Sequence, residues 1–157
     1  MDCRENSQMT SEARIILVDD FEPWRKFVAA LLRENPDWEI VSEASDGLEA
    51  VQKAEEFQPD LIVLDIGLPK LNGIEAAASI RKVAPGAKIL FLSENRFSDI
   101  AAAAMSAGGN GYVVKSDGGN ELLVAVETVL HGKRFVSHRF TDFDFTTPER
   151  QHSGDFR

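Results

Sequence analysis

Cysteine is almost absent: Cys3 stands alone in a polar amino-terminal stretch. One thiol excludes an intramolecular disulfide and fits a reducing compartment. No apolar run reaches about 18 residues, so the sequence predicts no membrane span, and residues 1–12 lack the apolar core of a signal peptide. The cytoplasm is the expected location, with no membrane partner. Basic residues are also few, 17 Lys and Arg against 26 Asp and Glu, which leaves a net charge of −9. Phosphodiester contacts need clustered cations, so direct nucleic-acid binding by this segment is not expected. No glycine-rich loop follows the first apolar run, where Val18-Asp19-Asp20-Phe21 stands, and this excludes a dinucleotide fold. His131, His138 and His152 have no metal-ligand spacing among themselves, and there is no internal repeat.

What is present is a chain of 157 residues, 43% apolar and 27% charged, suited to one globular domain with a real core. Residues 1–12 read as a disordered lead-in. Arg14-Ile15-Ile16-Leu17-Val18-Asp19-Asp20 and Leu61-Ile62-Val63-Leu64-Asp65 are apolar runs that end in carboxylates, as strands covered on both faces would. Between them, Pro23 opens a helix whose buried stripe is Trp24, Phe27, Val28, Leu31 and Leu32, and Asn35-Pro36 stops it. Trp38 to Ala44 alternates like a half-exposed edge strand. Asp46-Gly47 then caps a short helix carrying Leu48, Val51 and Ala54.

Beyond Asp65, Gly67 to Gly73 is a loop, Ile74, Ala77 and Ile80 mark a helix, and Lys88 to Ser93 is a buried strand ending in a hydroxyl. An Ala-rich helix runs from Phe97 to Ala107. Gly111 to Lys115 is a fifth strand, ending in an ammonium, and Leu122, Leu123, Val126 and Leu130 define a last helix finished by Gly132. Arg134-Phe135-Val136-Ser137 reads as a short extended segment, Lys133, Arg134, His138 and Arg139 as a solvated basic linker end, and residues 141–157 as a linker or tail.

Five βα units in strict alternation imply a parallel sheet with helices on both faces and right-handed crossovers. Ligands of such sheets sit outside the carboxyl ends of the strands. There the chain delivers Asp19, Asp20, Asp65, Ser93 and Lys115. Taken singly, each has a plainer role as a turn, cap or solvated charge. With strands one and three adjacent, as an order 2-1-3-4-5 would place them, three carboxylates crowd one crevice. Like charges that close resist joint ionisation, and a hard divalent cation with oxygen ligands relieves them. Mg²⁺ suits this best, because it takes one or two carboxylates and keeps other positions open. The chemistry that fits is phosphoryl transfer onto Asp65, with Lys115 and Ser93 stabilising the group. A carboxylate attacks without losing a proton, so no general base is needed.

On these motifs the chain resembles the receiver domains of two-component response regulators over residues 14 to about 132: Val18-Asp19-Asp20, Leu64-Asp65 with Leu68-Pro69 and Asn72-Gly73, Phe91-Leu92-Ser93, and Gly111-Tyr112-Val113-Val114-Lys115. Asn72-Gly73-Ile74-Glu75-Ala76, Lys115-Ser116 and Gly132-Lys133-Arg134-Phe135-Val136-Ser137 are most similar to the NarL/FixJ branch. The resemblance implies an α/β fold, a doubly wound (βα)5 flavodoxin-like three-layer sandwich with a parallel sheet in the order 2-1-3-4-5. It implies that Asp65 accepts phosphate from a sensor histidine kinase or phosphotransfer protein, and that Asp20, Asp65 and the Gly67 backbone carbonyl bind Mg²⁺ with Asp19 in support. Lys115 and Ser93 would read the phosphoryl group, and Tyr112 would be the aromatic that turns inward when Ser93 moves. A homodimer would form through the fourth-helix, fifth-strand and fifth-helix face. The chain would be a switch phosphorylated on itself, not an enzyme acting on outside substrates.

The expected organisation is a receiver over 13–132 and a linker or tail over 133–157. No helix-turn-helix follows Gly132, and the tail resembles an interdomain linker of a longer transcription regulator. Two departures bear on the site: Ser116 stands where many receivers have proline, and Glu94 where a small residue is usual. Two other functions compete. A receiver fold used only for docking would ignore phosphate. A phosphatase of the haloacid dehalogenase class would want a second Asp where Gly67 stands.

Overall fold

The computed structural model describes residues 13–140. Six strands form one parallel sheet: β1 (Ala13–Val18), β2 (Trp38–Ala44), β3 (Leu61–Leu64), β4 (Lys88–Ser93), β5 (Gly111–Val114) and β6 (Phe135–Val136). Their order is 2-1-3-4-5-6, so the first five lie as expected and a sixth is added. Five helices connect them: α1 (Glu22–Leu32), α2 (Gly47–Phe57), α3 (Gly73–Val83), α4 (Ser98–Ser106) and α5 (Gly118–Leu130).

Strand side chains alternate between two cores, which explains the unbroken apolar runs. Ile16, Val18, Ile62 and Leu64 face the layer of α2, α3 and α4. Ile15, Leu17, Leu61 and Val63 face α1 and α5. β2, at the sheet's outer edge, is only half buried, as its alternation predicts.

Two helices turn differently from their expected stripes. On α1 the buried residues are Val28, Ala29 and Leu32, while Phe27 is 43% exposed and leans on Trp24 at a ring-centroid distance of 5.0 Å. On α2 they are Gly47, Ala50 and Ala54, with Leu48 exposed. Close packing decides the second case: a Cβ on Gly47 would meet the Leu71 carbonyl oxygen, so α2 presents its smallest residues inward.

The sheet does not stop at Gly132. Gly132 takes a φ of +87° after α5 and reverses the chain. Phe135–Val136 then pairs in parallel with Gly111 and Tyr112, and a 3-10 turn, His138–Phe140, buries Phe140. The segment expected as the start of a linker thus covers the β5 edge. Arg139, expected to be solvated, holds Asp117 through two nitrogens at 3.0 Å. The expected lead-in over 1–12 and the tail over 141–157 lie outside the described residues.

Candidate functional site

The carboxyl ends of β1, β3, β4 and β5 meet at one rim. Each strand hands its next polar side chain to the same place because the parallel register aligns Val18 with Leu64 and Leu64 with Phe91. Asp19, Asp20, Asp65, Gly67, Ser93 and Lys115 line one cavity of about 780 Å³, walled also by Phe21, Trp24 and Asn95.

Local bonds set the orientation of each group. Asp19 Oδ1 accepts the Phe21 N–H at 2.9 Å, and Arg25 reaches the Asp19 carbonyl while pairing with Glu43 at 2.6 Å. The turn after β1 is therefore pinned to β2. Asp65 Oδ1 accepts its neighbour's N–H, from Ile66, at 2.8 Å, which leaves Oδ2 turned toward Lys115. Behind Asp65, α3 begins with a capping box between Asn72 and Glu75, and the Gly73 N–H holds the Ile66 carbonyl at 2.7 Å. Ser93 Oγ accepts the Asn95 N–H at 3.1 Å, shaping the loop into α4.

Asp19, Asp20 and Asp65 each bring a carboxylate oxygen within 4.8 Å of the others. Asp19 and Asp65 are buried and Asp20 is exposed. The Lys115 ammonium answers this charge, 2.6 Å from Asp19 Oδ2 and 3.4 Å from Asp65 Oδ2. Burial pushes the Asp65 carboxyl up; Lys115 pulls it down, Asp19 pushes it further up, the Ile66 N–H pulls it down, and the net direction is upward. For Lys115, burial works downward, but the bond to Asp19 and the charge of Asp65 leave the ammonium above its ordinary value. The Lys115 ammonium thus pairs with two of the three acids, and Arg96 and Glu94 also line the cavity. Clustered carboxylate oxygens, one of them open to solvent, suit a hard cation that keeps part of its water.

Residues 15–127 match the family model of the response regulator receiver domain. The chain belongs to this family. The receiver is 32% identical over 129 residues to the nitrate/nitrite response regulator protein NarL of Escherichia coli, covering 82% of this chain and 60% of that one. It is 33% identical over 114 residues to the chemotaxis protein CheY of Listeria monocytogenes, covering 73% and 95%. A crystal structure of a two-component response regulator of the LuxR family from Aurantimonas sp. superposes with a TM-score of 0.80 at 35% identity, covering 94% of this chain and all of that one. The chain spans less than two-thirds of the NarL protein and 56% of the transcriptional regulatory protein DegU of Brevibacillus brevis. Among relatives of these kinds it is a NarL/FixJ-like receiver of the two-component class. No helix among its described residues is long and apolar enough to cross a membrane.

The structure brings together every site residue expected from the sequence except Tyr112, which lies behind the cavity wall. Tyr112 is fully buried, and its hydroxyl donates to the Asn95 carbonyl at 2.9 Å. Burial pushes its phenol up; the Ser93 hydroxyl opposes this and the Asp65 charge adds to it. Ser116 does no harm to the geometry: the chain leaves β5 in a 3-10 turn, Lys115–Asp117, through a trans peptide, and Nζ still reaches Asp65. Glu94 is exposed at the cavity rim.

Sequence reading missed Trp24, taken there for core. Its ring lies 5.5 Å under the Lys115 ammonium, a cation–π arrangement, and it forms one wall of the cavity. A tryptophan four residues after the second acid, at the exposed start of an amphipathic helix, was the available signal. Asn95, which joins Ser93 to Tyr112, was missed for want of any periodicity.

Proposed function

We propose that this receiver is a phosphorylation-operated switch, in which Asp65 takes a phosphoryl group from a sensor histidine kinase or phosphotransfer protein with Mg²⁺ bound at the acidic cluster. The observation that carries the reading is the convergence of three carboxylates and the Lys115 ammonium on one solvent-open cavity that Ser93 also lines. Asp65 Oδ2 attacks phosphorus, the new O–P bond forms as the donor's N–P bond breaks, and the leaving imidazole recovers its electron pair. Lys115 neutralises charge on the transferred group, and the Ser93 hydroxyl, whose oxygen accepts from the Asn95 N–H, donates its own hydrogen to one of that group's oxygens. Asp20, Asp65 and the Gly67 carbonyl would hold Mg²⁺ with Asp19 in support; when bound, it supplies charge compensation for the phosphoryl oxygens.

The chain is its own acceptor on this reading and turns over no outside substrate. It works in the cytoplasm, in transcription regulation. A homodimer through α4, β5 and α5 is part of the proposal, with β6 now lying on that face in place of a free β5 edge.

The test is mass spectrometry after incubation with Mg²⁺ and acetyl phosphate. One PO₃ unit is expected on the wild type and none on Asp65→Asn. A wild type that stays unmodified and also ignores beryllofluoride would leave only a docking module.

A further inference from the structure

The segment after α5 is bonded to both flanks of the phosphoryl-reading groups. Ser137 is fully buried, yet every polar atom it offers is paired. Its N–H donates to the Tyr112 carbonyl at 2.8 Å, its Oγ accepts the Val114 N–H at 2.9 Å, and the same hydroxyl donates to Glu121 Oε1 at 2.8 Å. Glu121 Oε2 in turn accepts the His138 N–H at 3.0 Å. A buried, fully satisfied polar network fixes one geometry, because each partner lost would strand another. That geometry is the backbone of β5 immediately before Lys115.

Phe140 works on the other flank. It meets Tyr112 edge to face at a centroid distance of 5.9 Å, while Phe91 stands 6.2 Å away. Held between them, the Tyr112 hydroxyl reaches the Asn95 carbonyl, and the Asn95 N–H holds Ser93 Oγ. Two separate chains of contacts therefore run from one six-residue segment to the cavity, one ending at Lys115 and the other at Ser93.

We infer that Ser137 and Phe140 are positioning residues for the phosphoryl site, acting through Val114–Lys115 and through Tyr112–Asn95–Ser93. The inference rests on the phosphoacceptor reading above. A docked segment orders both donors before the ligand arrives, so docking tightens binding of a phosphoryl-like anion. By linkage, anion binding tightens docking by the same factor. Arg139, bonded to Asp117 at the surface, adds closure but little energy.

Tyr112 is the sole tyrosine of the chain, so the full chain labelled with 3-fluorotyrosine yields one ¹⁹F resonance at the centre of the network. Beryllofluoride with Mg²⁺ is titrated into wild type, Ser137→Ala, Phe140→Ala and Phe140→Leu. The wild-type resonance should shift at saturation. Each alanine variant should need about fivefold more beryllofluoride or more, at the low end of intersite coupling, and Phe140→Leu should recover most of the loss. If an alanine variant fails to fold, the wild type still decides: amide exchange at Val114, Ser137 and Phe140 should slow when beryllofluoride binds. Wild-type binding with unchanged affinity in the folded variants, or with unchanged exchange, overturns the inference alone. No binding by the wild type overturns the phosphoacceptor reading and this inference with it.

Discussion

The Lys115 ammonium lies 2.6 Å from Asp19 Oδ2, closer than its 3.4 Å approach to Asp65. Asp19 holds the lysine in place, and Asp65 keeps an oxygen less encumbered. A divalent cation in the same acidic cluster would feel the ammonium as a like charge.

Removing that charge separates two roles of the lysine. Lys115→Met should bind Mg²⁺ several-fold more tightly, because the repulsion is gone, while taking up phosphate from acetyl phosphate at least tenfold more slowly. Calorimetric titration and phosphorylation time courses read the two effects. An unchanged Mg²⁺ affinity would show that the cation does not use this cluster.

Trp24 should report on the same place. In a Trp38→Phe background its fluorescence should change when Mg²⁺ and beryllofluoride bind. Trp24→Leu removes a cation–π contact worth about 0.5 to 1 kcal/mol, so phosphorylation should slow by roughly two- to fivefold with the fold retained. An emission spectrum indifferent to both ligands would place Trp24 outside the working site.

Gly73, beside the acidic cluster, is a position where the fold cannot give way. A Cβ there would meet the Asp65 carbonyl oxygen and the Ile66 Cα, both backbone. Gly73→Ala should cost about 1 to 3 kcal/mol, the usual range for overpacking, and should impair phosphorylation by shifting Asp65. Thermal melts and the acetyl phosphate assay measure the pair; a variant normal in both would refute the close approach.

Tyr112 sets a pH dependence of known sign. Its phenol is held above the ordinary value by burial, and unfolded tyrosine titrates near 10. Its contribution to stability is therefore complete below about pH 10 and declines as the pH climbs through the folded value, since only the unfolded chain then gains by ionising. Phenolate absorbance should appear late and together with unfolding. Phenolate appearing at the ordinary pH in a chain that stays folded would mean the ring is not sealed.

The strand-end chemistry was legible because it is local. Four apolar residues followed by Asp65, or Val113-Val114 followed by Lys115, already say that a charge leaves a buried strand. The cap at Asp46 was equally local, while the capping box at Asn72, which the sequence pattern places in a loop, came from the structure. Helix phase was less so: Phe27 and Leu48 satisfy an apolar stripe, yet both are exposed. Gly47, Ala50 and Ala54 let α2 pack closely with Leu48 outward, and Phe27 leans on Trp24 while Val28, Ala29 and Leu32 fill the core. Phe140 and Ser137 carry no periodic signal. Their roles exist only because Gly132 turns the chain back along β5.

Sequence by itself determined the class of fold and the kinds of groups at its rim, since hydrophobic period and strand-terminal charge are properties of neighbouring residues. Tertiary structure decided which acid takes the lysine, that Tyr112 is sealed behind Asn95, and that the segment after α5 reaches both. Those outcomes depend on atoms far apart in the chain, as Lys115 and Asp65 are by 50 residues, and a hydrogen bond gained or lost within an ångström is set only when the strands are packed.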